Sequence, residues 1–151
     1  MTPDMSNFSG KVHGGTLLKL LDQVAYACAS KYAKSYVVTI SVDRVTFRQP
    51  IQVGELVTFS AAVNYTGSTS MEIGIRVDTE NISTGVRRHT NSCYFTMVAV
   101  DEEGRPHPVR PLTPHDPVAK RRYRDAQQRR AASRDPNPMH SRGLAGGDPG
   151  E

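Results

Sequence analysis

A chain of 151 residues, 37% hydrophobic and 23% charged, has material for one compact domain and not for two ordinary ones. The net charge of +4 does not describe a uniformly basic nucleic-acid-binding domain, because residues 1–116 are balanced and residues 117–151 supply the whole excess. Cys28 and Cys93 form no CxxC pair and sit in apolar segments, which argues against a disulfide framework or a zinc cluster and for buried thiols in a reducing compartment.

The chain opens without a basic-then-apolar signal layout, and no apolar run approaches the ~18 residues of a membrane span. A cytoplasmic location with no membrane span is therefore expected. After Met1 to Ser6 comes Asn7-Phe8-Ser9-Gly10-Lys11-Val12-His13-Gly14-Gly15. From there Leu17, Leu18, Leu20, Leu21, Val24, Ala25, Ala27 and Cys28 recur at helical spacing. The spacing predicts a helix from the glycine pair to near Ala33, apolar on more than one face and so enclosed. Lys31 and Lys34 suit the negative end of its dipole.

The period then changes. Tyr36 to Phe47 alternates Val38, Ile40 and Val42 against Thr39, Ser41 and Asp43, which predicts a strand. Turns at Val53-Gly54-Glu55, Thr66-Gly67-Ser68 and Asn81 to Gly85 separate further strands over Leu56–Tyr65, Met71–Glu80 and Val86–Val100. One helix followed by consecutive strands, with no helix between them, is an α+β arrangement with an antiparallel sheet. Beyond Pro106 the composition turns proline-rich. The chain thus divides into a folded domain over residues 1–116 and a basic, Pro/Gly-rich C-terminal tail over residues 117–151, helical over Val118 to Arg134 or disordered.

Asp22 is the residue with most to say, because it interrupts the apolar helix. It either occupies a solvent stripe beside Lys19 or works on a substrate. At the helix start, the backbone N–H groups of Gly14 and Gly15 form a site for developing negative charge, such as a thioester oxyanion. Asp22 stands about two turns on, roughly 10 Å away, so one helix cannot bring both groups to one carbonyl. A second protomer would bridge the gap. Asn7 either polarises a carbonyl or caps a turn. His13 stands behind Asp22 as a base. No G-x-S-x-G elbow, P-loop or dinucleotide fingerprint occurs.

The run from Asn7 to Asp22, with the pattern N-x-x-G-x-x-x-G-G followed by an apolar helix and an Asp, resembles the signature of the cytosolic acyl-CoA hydrolases. Val38 to Phe47, Val53-Gly54-Glu55 and Phe95 to Asp101 are similar to later pieces of that family in order. The resemblance covers roughly residues 5–110. It implies a hotdog fold, a long central helix wrapped by a curved antiparallel β-sheet, acting as an acyl-CoA thioesterase. It further implies a homodimer with shared active sites, where Asn7 of one protomer faces Asp22 of the other, and a trimer of such dimers. Asp22 would serve as general base or nucleophile, Gly14 or Gly15 as oxyanion donor and Asn7 in positioning. No cofactor is implied, since coenzyme A is part of substrate and product. Its phosphates call for cationic anchors, with Arg87 and Arg88 the candidates. Ser68, Thr69 and Ser70 are candidates for the pantetheine arm, and Thr90 and Asn91 for further contacts. Two other readings stay open: a hotdog enoyl-thioester hydratase or dehydratase, and a non-catalytic acyl-CoA-binding module. The basic tail as a nucleic-acid contact is disfavoured, because only Tyr123 interleaves its charges.

Overall fold

The computed structural model describes residues 1–6, 9–43 and 45–134. Asn7, Phe8, Arg44 and the expected disordered stretch 135–151 lie outside the described residues. After a single 3-10 turn at Pro3–Met5, helix α1 spans Gly14–Ala33, followed by strands β1 (Tyr36–Asp43), β2 (Leu56–Thr66), β3 (Ser70–Glu80) and β4 (Arg87–Val100), and helix α2 (Pro117–Arg134). The strands form one antiparallel sheet in the order β1-β4-β3-β2, with β1 and β2 at its edges.

Helix α1 starts where His13, in an extended conformation, takes the Gly15 N–H on its ring nitrogen Nδ1. It stops at Lys34, whose left-handed backbone returns its N–H to Ser30 O. Leu17, Leu21, Ala25 and Ala29 are buried at four-residue intervals, a stripe that lies across all four strands. The two alanines bring the helix backbone close to the sheet. Beneath them, Met71, Ile73, Ile75 and Val77 of β3 alternate inward and pair with Met97, Phe95, Cys93 and Asn91 of β4. Those β3 side chains and Cys93, Phe95 and Met97 are at most 2% exposed, which makes this pair of strands the centre of the core.

The enclosure expected of α1 is met on one face only. Leu18 and Tyr26 remain exposed within a single chain. Strand β1 also stops at Asp43, short of the expected Phe47, and its register against β4 shifts between Thr39 and Ser41. Tyr36, Val38, Ile40 and Val42 stand exposed along this edge strand. An apolar edge strand with one side unpaired is a template for pairing with another chain.

Helix α2 lies on the sheet face opposite α1. Its contacts are with the outward side chains of the sheet: Tyr123 meets Tyr65 at a ring separation of 4.9 Å, Arg129 pairs with Glu72, and Ala126 is buried. Among the described residues no helix is long and apolar enough to cross a membrane. Nor does any group of three or more His, Cys, Asp or Glu side chains offer a metal site there.

Candidate active site

Asp22 projects from α1 toward β1, where Thr39 donates from its hydroxyl to Asp22 Oδ1 at 2.7 Å. Thr39 sits opposite Met97, and its hydroxyl lies 3.4 Å from Met97 Sδ, so the inward turn of Thr39 is set by register. Sequence reasoning missed Thr39. The β1 alternation groups it with the polar residues of a solvent face, but the strand turns Thr39 to the helix and leaves Val38 and Ile40 outside. Asp22 and Thr39 are both exposed in the single chain, so the pair faces open space rather than a closed pocket.

At the helix start, Thr16 and Leu17 donate their N–H groups to His13 O at 3.0 and 3.2 Å. The Gly15 N–H is spent on His13 Nδ1 at 3.2 Å. The Gly14 N–H has no partner among the described residues, which leaves Gly14 the better oxyanion donor of the two. The Phe47 ring packs against this corner, 3.7 Å from where a Gly14 Cβ would stand. Asn7, the remaining member of the expected catalytic set, lies outside the described residues.

The expected substrate contacts fall into two groups that one chain does not bring together. Ser68 and Thr69 lie in the turn between β2 and β3, Ser70 opens β3, and the carbonyls of Ser68 and Thr69 accept from Val109 N and Ala99 N. Arg87, Arg88, Thr90 and Asn91 lie at the other end of the sheet, with Arg87 opposite Glu80. From Ser70 to Glu80 an extended strand covers about 33 Å. Arg87 is more than half exposed and reaches Asp78 at 3.6 Å, so most of its donors face solvent. Arg88 is committed inside the chain: it donates to Gln49 Oε1 at 2.6 Å, to Pro50 O at 2.9 Å and to both oxygens of Glu55 at 3.0 and 3.3 Å. Thr90 is buried and donates to Val77 O at 3.1 Å. The amide nitrogen of buried Asn91 has no partner among the described residues.

Neither cysteine is built as a nucleophile. Burial pushes the Cys93 thiol up to about 11. Burial also raises Cys28, with Lys31 pulling weakly the other way. Both are protonated at neutral pH, and a thiol attacks as its thiolate.

Residues 9–86 match the Thioesterase superfamily. A Helicobacter pylori relative named protein VdlD is 52% identical over 130 residues, 86% of this chain and 74% of its own. A crystal structure of an apo-hexameric acyl-CoA thioesterase superposes with a TM-score of 0.84 at 39% identity, over 87% of this chain and 85% of that one. The acyl-CoA hydrolase of Staphylococcus aureus, solved with butyryl coenzyme A, coenzyme A and coenzyme A disulfide, gives a TM-score of 0.81 at 35% identity over 89% and 84% of the two chains. That enzyme has also been solved with single alanine replacements of an aspartate, an asparagine and a threonine.

Proposed function

The chain belongs to the thioesterase superfamily, and from that premise we propose that it hydrolyses acyl-CoA to a free acid and coenzyme A. The carrying observation is the hydrogen bond from Thr39 to Asp22. It fixes the carboxylate through Oδ1 and leaves Oδ2 without a partner among the described residues. That oxygen takes a proton from water or attacks the thioester carbonyl. The three replaced residues of the Staphylococcus aureus enzyme support these assignments. Its asparagine precedes its aspartate by fifteen positions, and its threonine follows the aspartate by seventeen. Asn7, Asp22 and Thr39 keep that order and both intervals.

Gly14 supplies the oxyanion N–H, with Gly15 beside it. Since Asp22 and the helix start stand roughly 10 Å apart, a second copy completes each site, Asn7 of one facing Asp22 of the other. The exposed apolar edge of β1 supports pairing of two sheets into a dimer. The hexameric neighbour supports a trimer of such dimers. No cofactor is needed, because coenzyme A enters and leaves with the substrate. The free thiols of Cys28 and Cys93 fit work in the cytoplasm.

Purified protein is expected to release thiol from butyryl-CoA with a kcat of about 1 per second or more. Binding without release would point to a non-catalytic module, and hydration of an enoyl-CoA without thiol release to a hydratase. Thr39→Val is expected to lower kcat about tenfold with little change in KM, because it unfixes a transition-state group and touches no substrate. Thr39→Ser keeps the hydroxyl and should restore most of the rate. A rate unchanged by Thr39→Val would remove Thr39 from the mechanism.

A further inference from the structure

Helix α2 carries Lys120, Arg121, Arg122, Arg124, Arg129, Arg130 and Arg134 against one acid, Asp125. The fold sorts these charges by face. Ala119, Tyr123, Ala126 and Arg130 recur at spacings of three and four and form the enclosed side of the helix, laid on the sheet. Tyr123 and Arg130 both meet the Tyr65 ring, and Arg129 grips Glu72 beside them. Lys120, Arg121 and Arg124 fall on the opposite side and are exposed, with exposed Arg122 on the flank. None of these four has an acidic partner among the described residues. The acids nearby are engaged elsewhere: Asp116 accepts the Ala119 N–H at 2.8 Å, Asp125 bears on Arg129, and Asp78 and Glu72 hold Arg76 and Arg129. Lack of a partner alone marks no residue, since Arg110 also has none and lies over the Tyr32 ring. Four such cations within five residues of one docked helix mark a surface.

Shape and charge narrow the partner. Helix α2 is 18 residues and about 27 Å long, and it lies outside the sheet, so its outward side is a convex ridge open to a flat partner. Residues 1–116 are balanced in charge, and Arg76 and Arg87 of the sheet share Asp78. The positive field is therefore confined to the ridge. A single strand of nucleic acid is held by exposed aromatic rings that stack its bases, and Tyr123 is spent on Tyr65. Val118 is the one large apolar side chain left exposed on the described part of the helix, so the ridge can lie on a lipid surface but has no apolar face to insert. Clustered Lys and Arg side chains of this kind adsorb to anionic lipid headgroups, each cation strengthening binding about fivefold. We propose that the outward ridge of α2 docks this protein on the surface of an anionic lipid bilayer, held by charge and released by salt. The docking goes beyond thioester hydrolysis and stands whether or not the acyl-CoA reading holds.

Flotation of the full chain with lipid vesicles tests it. Vesicles of phosphatidylglycerol and phosphatidylcholine in equal parts are expected to carry the protein up the gradient at low salt, and phosphatidylcholine alone to leave it behind. Salt at about 1 M, which cuts the screening length to about 3 Å, should release it. The triple replacement Lys120→Gln, Arg121→Gln and Arg124→Gln should weaken vesicle binding about a hundredfold. Glutamine keeps the helix propensity, and Tyr123, Ala126 and Arg129 are untouched. Circular dichroism, and thiol release from butyryl-CoA without vesicles, should therefore match the parent. Arg121→Gln alone should cost about fivefold, which keeps the ridge testable if the triple variant folds poorly. Arg105→Gln removes an exposed charge from the turn after β4 and should leave flotation unchanged. Equal flotation with both kinds of vesicle, or variants of the ridge that float like the parent, overturns the proposal. So does a loss in Arg105→Gln as large as in the triple variant, which would make net charge responsible and not the ridge. A parent that floats with neither vesicle overturns it as well, and retardation of a duplex RNA through the same three cations would then assign the ridge to nucleic acid.

Discussion

Asp22→Asn is expected to lower kcat for acyl-CoA hydrolysis by about 10²–10⁴-fold, the range a positioned acid–base group contributes. Asparagine is the informative replacement because it keeps the size of the side chain and an oxygen for the Thr39 hydroxyl, which now lies 2.7 Å from Oδ1. What it removes is the charge and the capacity to take a proton or form an acyl-aspartate. Asp22 is exposed and its carboxylate supports no packing in the core. Folding, measured by circular dichroism, and assembly, measured by light scattering, should therefore match the parent. KM should move little, since the carboxylate acts on the reacting carbon and does not anchor coenzyme A. A variant that turns over at the parent rate would end the assignment. Hydroxylamine trapping in the parent separates the two roles: an acyl-aspartate is captured only if the carboxylate attacks directly.

The parts of this molecule that follow from periodicity were legible before any coordinates. The α1 stripe of Leu17, Leu21, Ala25 and Ala29, the inward alternation of β3 and β4 and the turns at Gly54, Gly67 and Gly85 are each local patterns. Asp22 was legible for a related reason, as the charge that breaks an apolar run. Thr39 was not. Its role depends on its pairing opposite Met97, which places it with buried Val37 on the α1 side of β1, beside Asp22 seventeen residues away in the chain, and a polar residue in an alternating strand carries no mark of which face it takes. Arg88 misleads in the opposite direction: charge and position suggest a phosphate anchor, and the fold spends its guanidinium on Gln49, Pro50 and Glu55. Helix α2 was legible as a helix but not as a packed one, because its anchors are long polar side chains and no apolar stripe announces them.

That mode of docking makes Arg129 the residue whose loss should cost most in stability among the charged positions. Its guanidinium grips Glu72 at two points, Nη2 to Oε1 at 2.6 Å and Nε to Oε2 at 3.2 Å. It also lies 3.7 Å from the centre of the Tyr94 ring. Burial alone would weaken its hold on the proton, but the hydrogen bond and charge of Glu72, with Tyr94 and Asp125, raise it on balance. The side chains are 25% and 13% exposed, so the pair is largely dry and its breakage leaves a carboxylate stranded. Glu72 keeps one further donor, Asn64 Nδ2 at 3.3 Å. Asn64 has room to reach it because Gly74 carries no side chain; a Cβ there would collide with the amide. Arg129→Ala is expected to destabilise by about 2–3 kcal/mol in chemical unfolding, combining a lost charged pair and a lost cation–π contact. Glu72→Gln should cost less, since it keeps an acceptor and removes the stranded charge. The double replacement Glu72→Ala with Arg129→Ala should cost less than the two alanine variants added together, by about 1–2 kcal/mol of coupling. Limited proteolysis by trypsin reads the same event locally, since an undocked α2 presents Arg121, Arg122 and Arg124 to the protease before the sheet unfolds. If Arg129→Ala unfolds at the parent midpoint and resists trypsin as the parent does, then Tyr123 and Ala126 hold the helix and the ion pair is incidental.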